Sequence, residues 1–215
     1  MDSMDWSRLK FTMDANHQKA VKQAFVYYYK NGLIYRDEKV INWCPGCSTS
    51  LSDLEIEYQK EKTKLWYIAY PLKNKSRSIT VATTRPETML GGAAVAVNPK
   101  DPRYQKFIGE IFILPLKERE ILIIADKLID LNFGSGAVKI TPAHDLLDAE
   151  ISKKNHFSFY KIIGPDGEMT AETDDAYQGL TIGDCRQKII EELKKSCRQR
   201  RRSYPQCRLL LSLPQ

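Results

Sequence analysis

Gly134-Ser-Gly-Ala-Val-Lys-Ile-Thr-Pro-Ala-His-Asp-Leu-Leu-Asp-Ala-Glu150 reads as a glycine turn, a short strand, a proline break and a helix starting at about His144. Lys139 and Thr141 are two apart, so on a strand they point to the same side. Pro142 ends the strand and suits the entrance of a helix. Asp145 and Asp148 are three apart, which places them on one face of that helix. One cation, one hydroxyl and two carboxylates can therefore converge on a small volume. The residues alone leave a plainer reading open, in which the aspartates complement the helix's positive end and Lys139 is a solvated charge.

Upstream of this stretch the pattern is that of strands. Leu65–Tyr70, Ser78–Thr83, Ala93–Val97, Glu110–Leu114 and Glu120–Ile124 alternate or are rich in β-branched and aromatic residues. There are no long helices between them, no strand–helix–strand rhythm and no Gly-x-Gly-x-x-Gly. The pattern predicts an α+β, mainly β fold built on a curled or closed antiparallel sheet. Downstream, Phe157–Ile163 reads as a strand. Thr181-Ile-Gly-Asp184 opens a helix to about Lys195 with Ile182, Cys185, Ile189 and Leu193 on one face.

The first part of the chain reads differently. Residues 5–13 suggest a loop with buried aromatic anchors. A helix follows from about Asp14 to Asn31, with Val21, Ala24, Phe25 and Tyr28 at helical spacing and Gly32 as its cap. The run Tyr27-Tyr28-Tyr29 reads as packing rather than a base-stacking platform. Ile34–Arg36 and Val40–Trp43 suggest a hairpin across Asp37-Glu38. The organisation expected is a lead-in over residues 1–43, a main domain over 44–195, and a basic, disordered tail over 196–215.

Composition is that of an ordinary soluble globular chain, and no apolar run approaches the ~20 residues that span a bilayer. The start has no basic-then-apolar pattern of a signal peptide, and the cysteines suit a reducing, cytoplasmic setting. The net charge of +6 is concentrated in the tail: residues 194–208 carry seven lysines and arginines and no acid. The body is close to neutral, so a uniform nucleic-acid-coating surface is not implied.

Two further motifs bear on chemistry. Thr83-Thr-Arg85-Pro-Glu-Thr88 packs three hydroxyls, an arginine and a carboxylate around a rigid proline. Such a loop can offer donors to a sugar or phosphate, and equally can be a polar strand exit. Cys44-Pro-Gly-Cys47 is half of a zinc knuckle, supplying two of four tetrahedral ligands. Cys185, Cys197 and Cys207 are isolated and do not complete it.

Taken together, these motifs resemble the editing domain of valyl-tRNA synthetase, an insertion in a class I aminoacyl-tRNA synthetase. The carriers are Asp5-Trp-Ser-Arg with Phe11-Thr-Met-Asp14, Asn42-Trp-Cys-Pro with Cys47, Leu51-Ser-Asp53, Thr83–Thr88 and Gly134–Asp145. The resemblance covers about Asp5 to Lys195. It implies a closed six-stranded β-barrel with flanking helices and hydrolysis of the ester in threonyl-tRNA(Val). It also implies the tRNA(Val) acceptor end and the rest of the synthetase as partners, with no membrane. No cofactor is implied for hydrolysis; a structural zinc would need ligands from elsewhere, and ATP and magnesium belong to the parent enzyme.

Carried over by motif position, Arg85 and Thr88 would hold the terminal adenosine with Phe133 against it. Asp148 would anchor the substrate ammonium. Lys139, Thr141 and Asp145 would read the side-chain hydroxyl or orient the water and ribose. The sequence departs from the family pattern at Gly92 and Ala93, where a carboxylate and a hydroxyl usually stand. No ATP-site signature is present, so aminoacylation by this chain alone is not expected. The alternative is an inactive tRNA-binding or structural fragment.

Overall fold

The computed structural model describes residues 5–59, 63–74, 77–200 and 210–211. The chain divides into two compact units, Met1–Lys39 and Val40–Gln215. In the first, Asp5 accepts the Ser7 N–H to cap a short turn, Trp6–Arg8. Helix α1, Ala15–Lys30, follows. It closes with Gly32 at φ +70° and the Leu33 N–H returning to the Tyr28 carbonyl, a glycine-dependent stop.

No described residue of this unit is buried. Trp6 and Phe11, expected as buried anchors, are exposed, and so are Tyr27, Tyr28 and Tyr29, expected to pack. An amphipathic helix buries its stripe only against a second element, and the described part of this unit is one helix with flanking turns.

In the second unit, β1 (Asn42–Cys44) and β2 (Thr49–Leu51) form an antiparallel ribbon, Cys44 opposite Thr49. The expected hairpin therefore lies one element later, across the four-residue turn 45–48, whose Pro45-Gly46 turn chemistry outranks that of Asp37-Glu38. Strands β3 (Trp66–Pro71) and β4 (Ser78–Thr83) pair antiparallel over their full length, Trp66 opposite Thr83. A four-stranded sheet combines β5 (Ala94–Val97), β6 (Ile111–Ile113), β7 (Glu120–Ala125) and β8 (Ala137–Ile140) in the order β6-β7-β5-β8. Here β5 runs parallel to β7 and antiparallel to β8. Helices α2 (Leu146–Asn155) and α3 (Ile182–Arg200) follow, and β9 (Leu210–Leu211) pairs with Trp66 and Tyr67 of β3. The tail expected from 196 is thus helical to Arg200; residues 201–209 and 212–215 lie outside the described residues.

The closed six-stranded, mainly β barrel is corrected by this arrangement. The described strands form sheets of two, three and four, none closed on itself, and the α-helices hold more residues than the strands. The architecture is mixed α/β. At one corner a single bridge, Leu72 to Phe112, joins β3 to β6. At the other, β4 and β8 lie side by side without a ladder. There Gly134 runs against β4 so closely that a Cβ on it would sit 2.5 Å from the Ala82 Cβ. Packing stands where hydrogen bonds would have closed a barrel, and closure depends on edge register, which strand spacing does not encode.

The four-stranded sheet separates two cores. Val95 and Val97 face a large cluster with Ile68, Tyr70, Val81, Phe112, Ile189 and Leu193. Ala94 and Ala96 face a smaller one with Ile140 and Ile151 of α2. This two-sided burial explains why β5 is an unbroken apolar run rather than an alternating one.

Candidate active site

Thr141 is the hub of the site. Lys139 and Thr141 project to one side at the end of β8, as the two-residue strand period requires. Lys139 Nζ donates to Thr141 Oγ1 at 3.1 Å, and that hydroxyl donates to Asp148 Oδ2 at 3.0 Å. The Thr141 backbone N–H reaches the same oxygen at 2.8 Å. Lys139, Thr141 and Asp148 are 8%, 1% and 6% exposed. Burial pushes the Lys139 ammonium down to about 8, against the opposing pull of the Asp148 charge. Burial likewise raises the Asp148 carboxyl above its ordinary range, against the Thr141 N–H. Both charged forms are held at a cost, a pattern that concentrates at functional sites.

The chain reaches α2 through a turn in which the His144 N–H bonds the Thr141 carbonyl, so the helix starts at Leu146 rather than at about His144. Asp145 is its N-cap: Oδ1 accepts from the Leu147 and Asp148 N–H groups at 2.9 and 3.1 Å. The aspartates therefore do different work. Asp145 is exposed and holds the helix end, while Asp148 is buried and turned to Thr141. His144 Nε2 accepts the Ile162 N–H at 3.3 Å, and burial lowers its pKa to about 4, so it is a neutral acceptor.

The loop after β4 is wound by its own hydroxyls. Thr83 Oγ1 accepts the Arg85 N–H, and Thr88 Oγ1 donates to the Arg85 carbonyl at 2.9 Å. A short 3-10 helix, Pro86–Gly91, follows with every residue buried. Thr88 is thus sealed with its hydroxyl committed to the turn. Arg85 remains open to solvent, and its charge acts on Lys139. Phe133 is 51% exposed, on the turn whose Gly134 abuts Ala82 of β4.

Sequence reasoning missed two arginines that hold this loop. Arg186 of α3 forks onto the Glu87 carboxylate at 2.8 and 3.0 Å. Arg119 donates to the carbonyls of Leu90 and Gly92 at 3.0 and 2.6 Å and lies 3.8 Å over the Tyr160 ring. The Arg186 pair is separated by 99 residues, so no local pattern announces it.

At the departures from the family pattern, a Cβ on Gly92 would lie 3.0 Å from the Met89 carbonyl oxygen. Ala93 extends the β5–β8 ladder through its N–H to the Ile140 carbonyl at 2.8 Å. By the register of Val95 opposite Lys139, Ala93 falls opposite Thr141 and on the Lys139 side of the sheet. It presents a methyl there.

Cys44 and Cys47 sit in the β1–β2 turn, where the Cys47 N–H donates to Cys44 Sγ at 3.4 Å. Among the described residues no group of three or more His, Cys, Asp or Glu could hold a metal ion. Two thiols do not fit the four-ligand set of structural zinc, so the half-site gains no further ligand there.

The sequence model of the class I tRNA synthetases (I, L, M and V) matches residues 2–194. The chain is 50% identical over 191 residues to a valine–tRNA ligase of Syntrophotalea carbinolica, covering 89% of this chain and 21% of that protein. It is 47% identical over 193 residues to the valine–tRNA ligase of Thermotoga maritima, covering 90% and 22%. The chain spans about a fifth of the length of these relatives. Among solved structures, the ternary LeuRS–tRNA–LeuAMS complex of Agrobacterium radiobacter K84 matches with a TM-score of 0.51 at 17% identity, over 86% of this chain and 32% of that one. With its match running across nearly the whole described chain, this protein belongs to the class I tRNA synthetase family that takes in the I, L, M and V enzymes.

Proposed function

We propose that this chain is an editing hydrolase, cleaving the ester that joins misattached threonine to tRNA(Val). The observation that carries the reading is the buried Lys139–Thr141–Asp148 relay. A cation, a hydroxyl and a carboxylate sealed from water suit a site that must tell threonine from its near-isostere valine. An apolar pocket rejects such an isostere poorly, whereas a polar one leaves its buried groups unpaired when valine enters.

In this reading Asp148 anchors the substrate ammonium through a charge-assisted bond. Lys139 and Thr141 read the side-chain hydroxyl. Asp145, committed to the helix end, positions Asp148. Arg85 and Phe133 meet the terminal adenosine, with Thr88 holding the Arg85 turn. The reaction needs no protein nucleophile. Water attacks the ester carbonyl, the ribose oxygen leaves with a proton, and free threonine and tRNA result. Holding the water and stabilising the developing oxyanion are the protein's part. The tRNA(Val) acceptor end, the rest of a longer synthetase and a cytoplasmic setting belong to the same proposal, as does hydrolysis without a cofactor.

The test is deacylation of threonyl-tRNA(Val) against valyl-tRNA(Val) by the wild type and Asp148→Ala. Threonine-selective turnover lost in the variant is the expected result. Absence of hydrolysis above the spontaneous rate from folded wild type would overturn the reading. One observation favours a second reading, an inactive tRNA-binding fragment: Ala93 places a methyl where the family pattern has a hydroxyl. Salt-sensitive tRNA binding without turnover would select it.

A further inference from the structure

Glu87 is completely buried, yet its carboxylate faces two cations. Arg186 of α3 binds both oxygens, Nε to Oε2 at 2.8 Å and Nη2 to Oε1 at 3.0 Å. Arg85 makes one longer contact, Nε to Oε1 at 3.3 Å, and its side chain is 46% exposed. The forked geometry is the stronger of the two. Burial alone would raise the Glu87 pKa; the Arg186 hydrogen bonds, a backbone N–H and the charges of Arg186 and Arg85 together outweigh it and keep the carboxyl below its ordinary range.

We propose that Arg186 is a positioning residue for the hydrolytic site: by forking onto both Glu87 oxygens from α3, it leaves Arg85 with one long Nε contact, weak enough for the guanidinium to turn to the nucleotide end of the substrate. The inference rests on reading the site as an ester hydrolase that binds the tRNA terminus. A buried carboxylate without Arg186 would claim the nearest cation, because an uncompensated buried charge is costly. That cation is Arg85, two residues away, whose single 3.3 Å contact to Oε1 would tighten. Arg186 would then act on substrate binding without touching substrate. The sign is specific: removing Arg186 weakens binding, and removing the Glu87 charge as well restores it. Loss of a purely structural clamp would lower stability and kcat together with binding, whereas loss of positioning moves KM alone.

The experiment measures steady-state hydrolysis of threonyl-tRNA(Val) by the full chain as wild type, Arg186→Gln, Arg186→Lys and the double variant Arg186→Gln/Glu87→Gln. Folding of each is checked by circular dichroism. For Arg186→Gln, KM is expected to rise about tenfold, the scale of a lost charged hydrogen bond, with kcat within about twofold. Arg186→Lys is expected between wild type and Arg186→Gln, and the double variant returns KM to within about twofold of wild type. An unchanged KM in folded Arg186→Gln, or a double variant that stays impaired, overturns the inference. If Arg186→Gln does not fold, Arg186→Lys alone and with Glu87→Gln decides by the same order. Dissociation constants for a CCA-ended RNA hairpin, taken in parallel, separate the two claims. An inert wild type whose variants keep the expected order of affinities overturns the hydrolase reading and leaves the role of Arg186 standing.

Discussion

Lys139 is an ammonium sealed to 8% exposure, with the Thr141 hydroxyl as its hydrogen-bond acceptor. The charges of Asp148, Arg85, Glu87 and Asp145 all act on it. Its pKa falls to about 8 from an ordinary 10.5, so between those pH values the folded chain holds fewer protons than the unfolded one. The stability this group contributes therefore rises with pH across that window. If the ammonium reads the substrate hydroxyl, activity moves the other way and falls as pH climbs past about 8. Urea midpoints and hydrolysis rates, corrected for spontaneous ester loss, are expected to diverge from neutrality upward. A corrected rate that stays level through this range would remove the Lys139 charge from the mechanism.

Asp145 separates a cap from a charge. Asparagine caps a helix about as well as aspartate, so Asp145→Asn is expected to keep hydrolysis near the wild-type rate. Asp145→Ala loses the cap, costs about 1 kcal/mol in urea unfolding, and slows hydrolysis by loosening the turn that carries Asp148. A large loss in Asp145→Asn would instead give the carboxylate a direct part in the reaction. That Lys139 and Thr141 share a side was legible in the strand period; that Asp148 turns to them was one of two readings the residues left open. The split between the aspartates was not legible, because a cap and a first-turn residue have the same spacing as two neighbours on a helix face.

At the scale of elements, the site sits at the end of β8, where α2, packed on one face of β5 and β8, brings Asp148 to Thr141. Ile151 of α2 is fully buried against Ala94, Ala96 and Ile140, the small alanines letting the helix approach the sheet. Ile151→Ala is expected to cost roughly 2–5 kcal/mol, the range for emptying a well-packed core position. Because α2 carries Asp148, hydrolysis should fall as the helix loosens, tracked by amide exchange along 146–155. A cost well below about 1 kcal/mol would mean that α2 is held by its cap rather than by this packing. The short strands here were found by composition, with Ser78–Thr83 matching its observed bounds. The expected strand Phe157–Ile163 is absent as such: among the described residues only Ile163 bridges, to Met169. Tyr160, Ile162 and Ile163 pack against the main core and Phe157 against the smaller one, without a neighbouring strand among the described residues to pair with.

At the scale of the molecule, sequence placed β3 to β8 and showed little of how their edges meet. Gly134 pressed against Ala82 and the lone bridge at Leu72 are long-range accidents of register, invisible to local pattern. The division at Lys39 leads to a further prediction. Every core residue lies between Trp66 and Leu193, and the unit Met1–Lys39 contributes no buried described residue. Removing residues 1–39 should therefore leave the cooperative unfolding of 40–215 little changed, with Tm within about 3 °C, since a larger shift would require roughly 1 kcal/mol of lost contacts. Calorimetry checks this directly. The residues assigned to hydrolysis, from Arg85 to Asp148, are all in the retained unit, so threonine-selective turnover should persist. If the shortened chain keeps its Tm but loses turnover, the exposed tyrosines and lysines of α1 become the place to look for a grip on tRNA. Unchanged turnover would confine the substrate's contacts to the second unit.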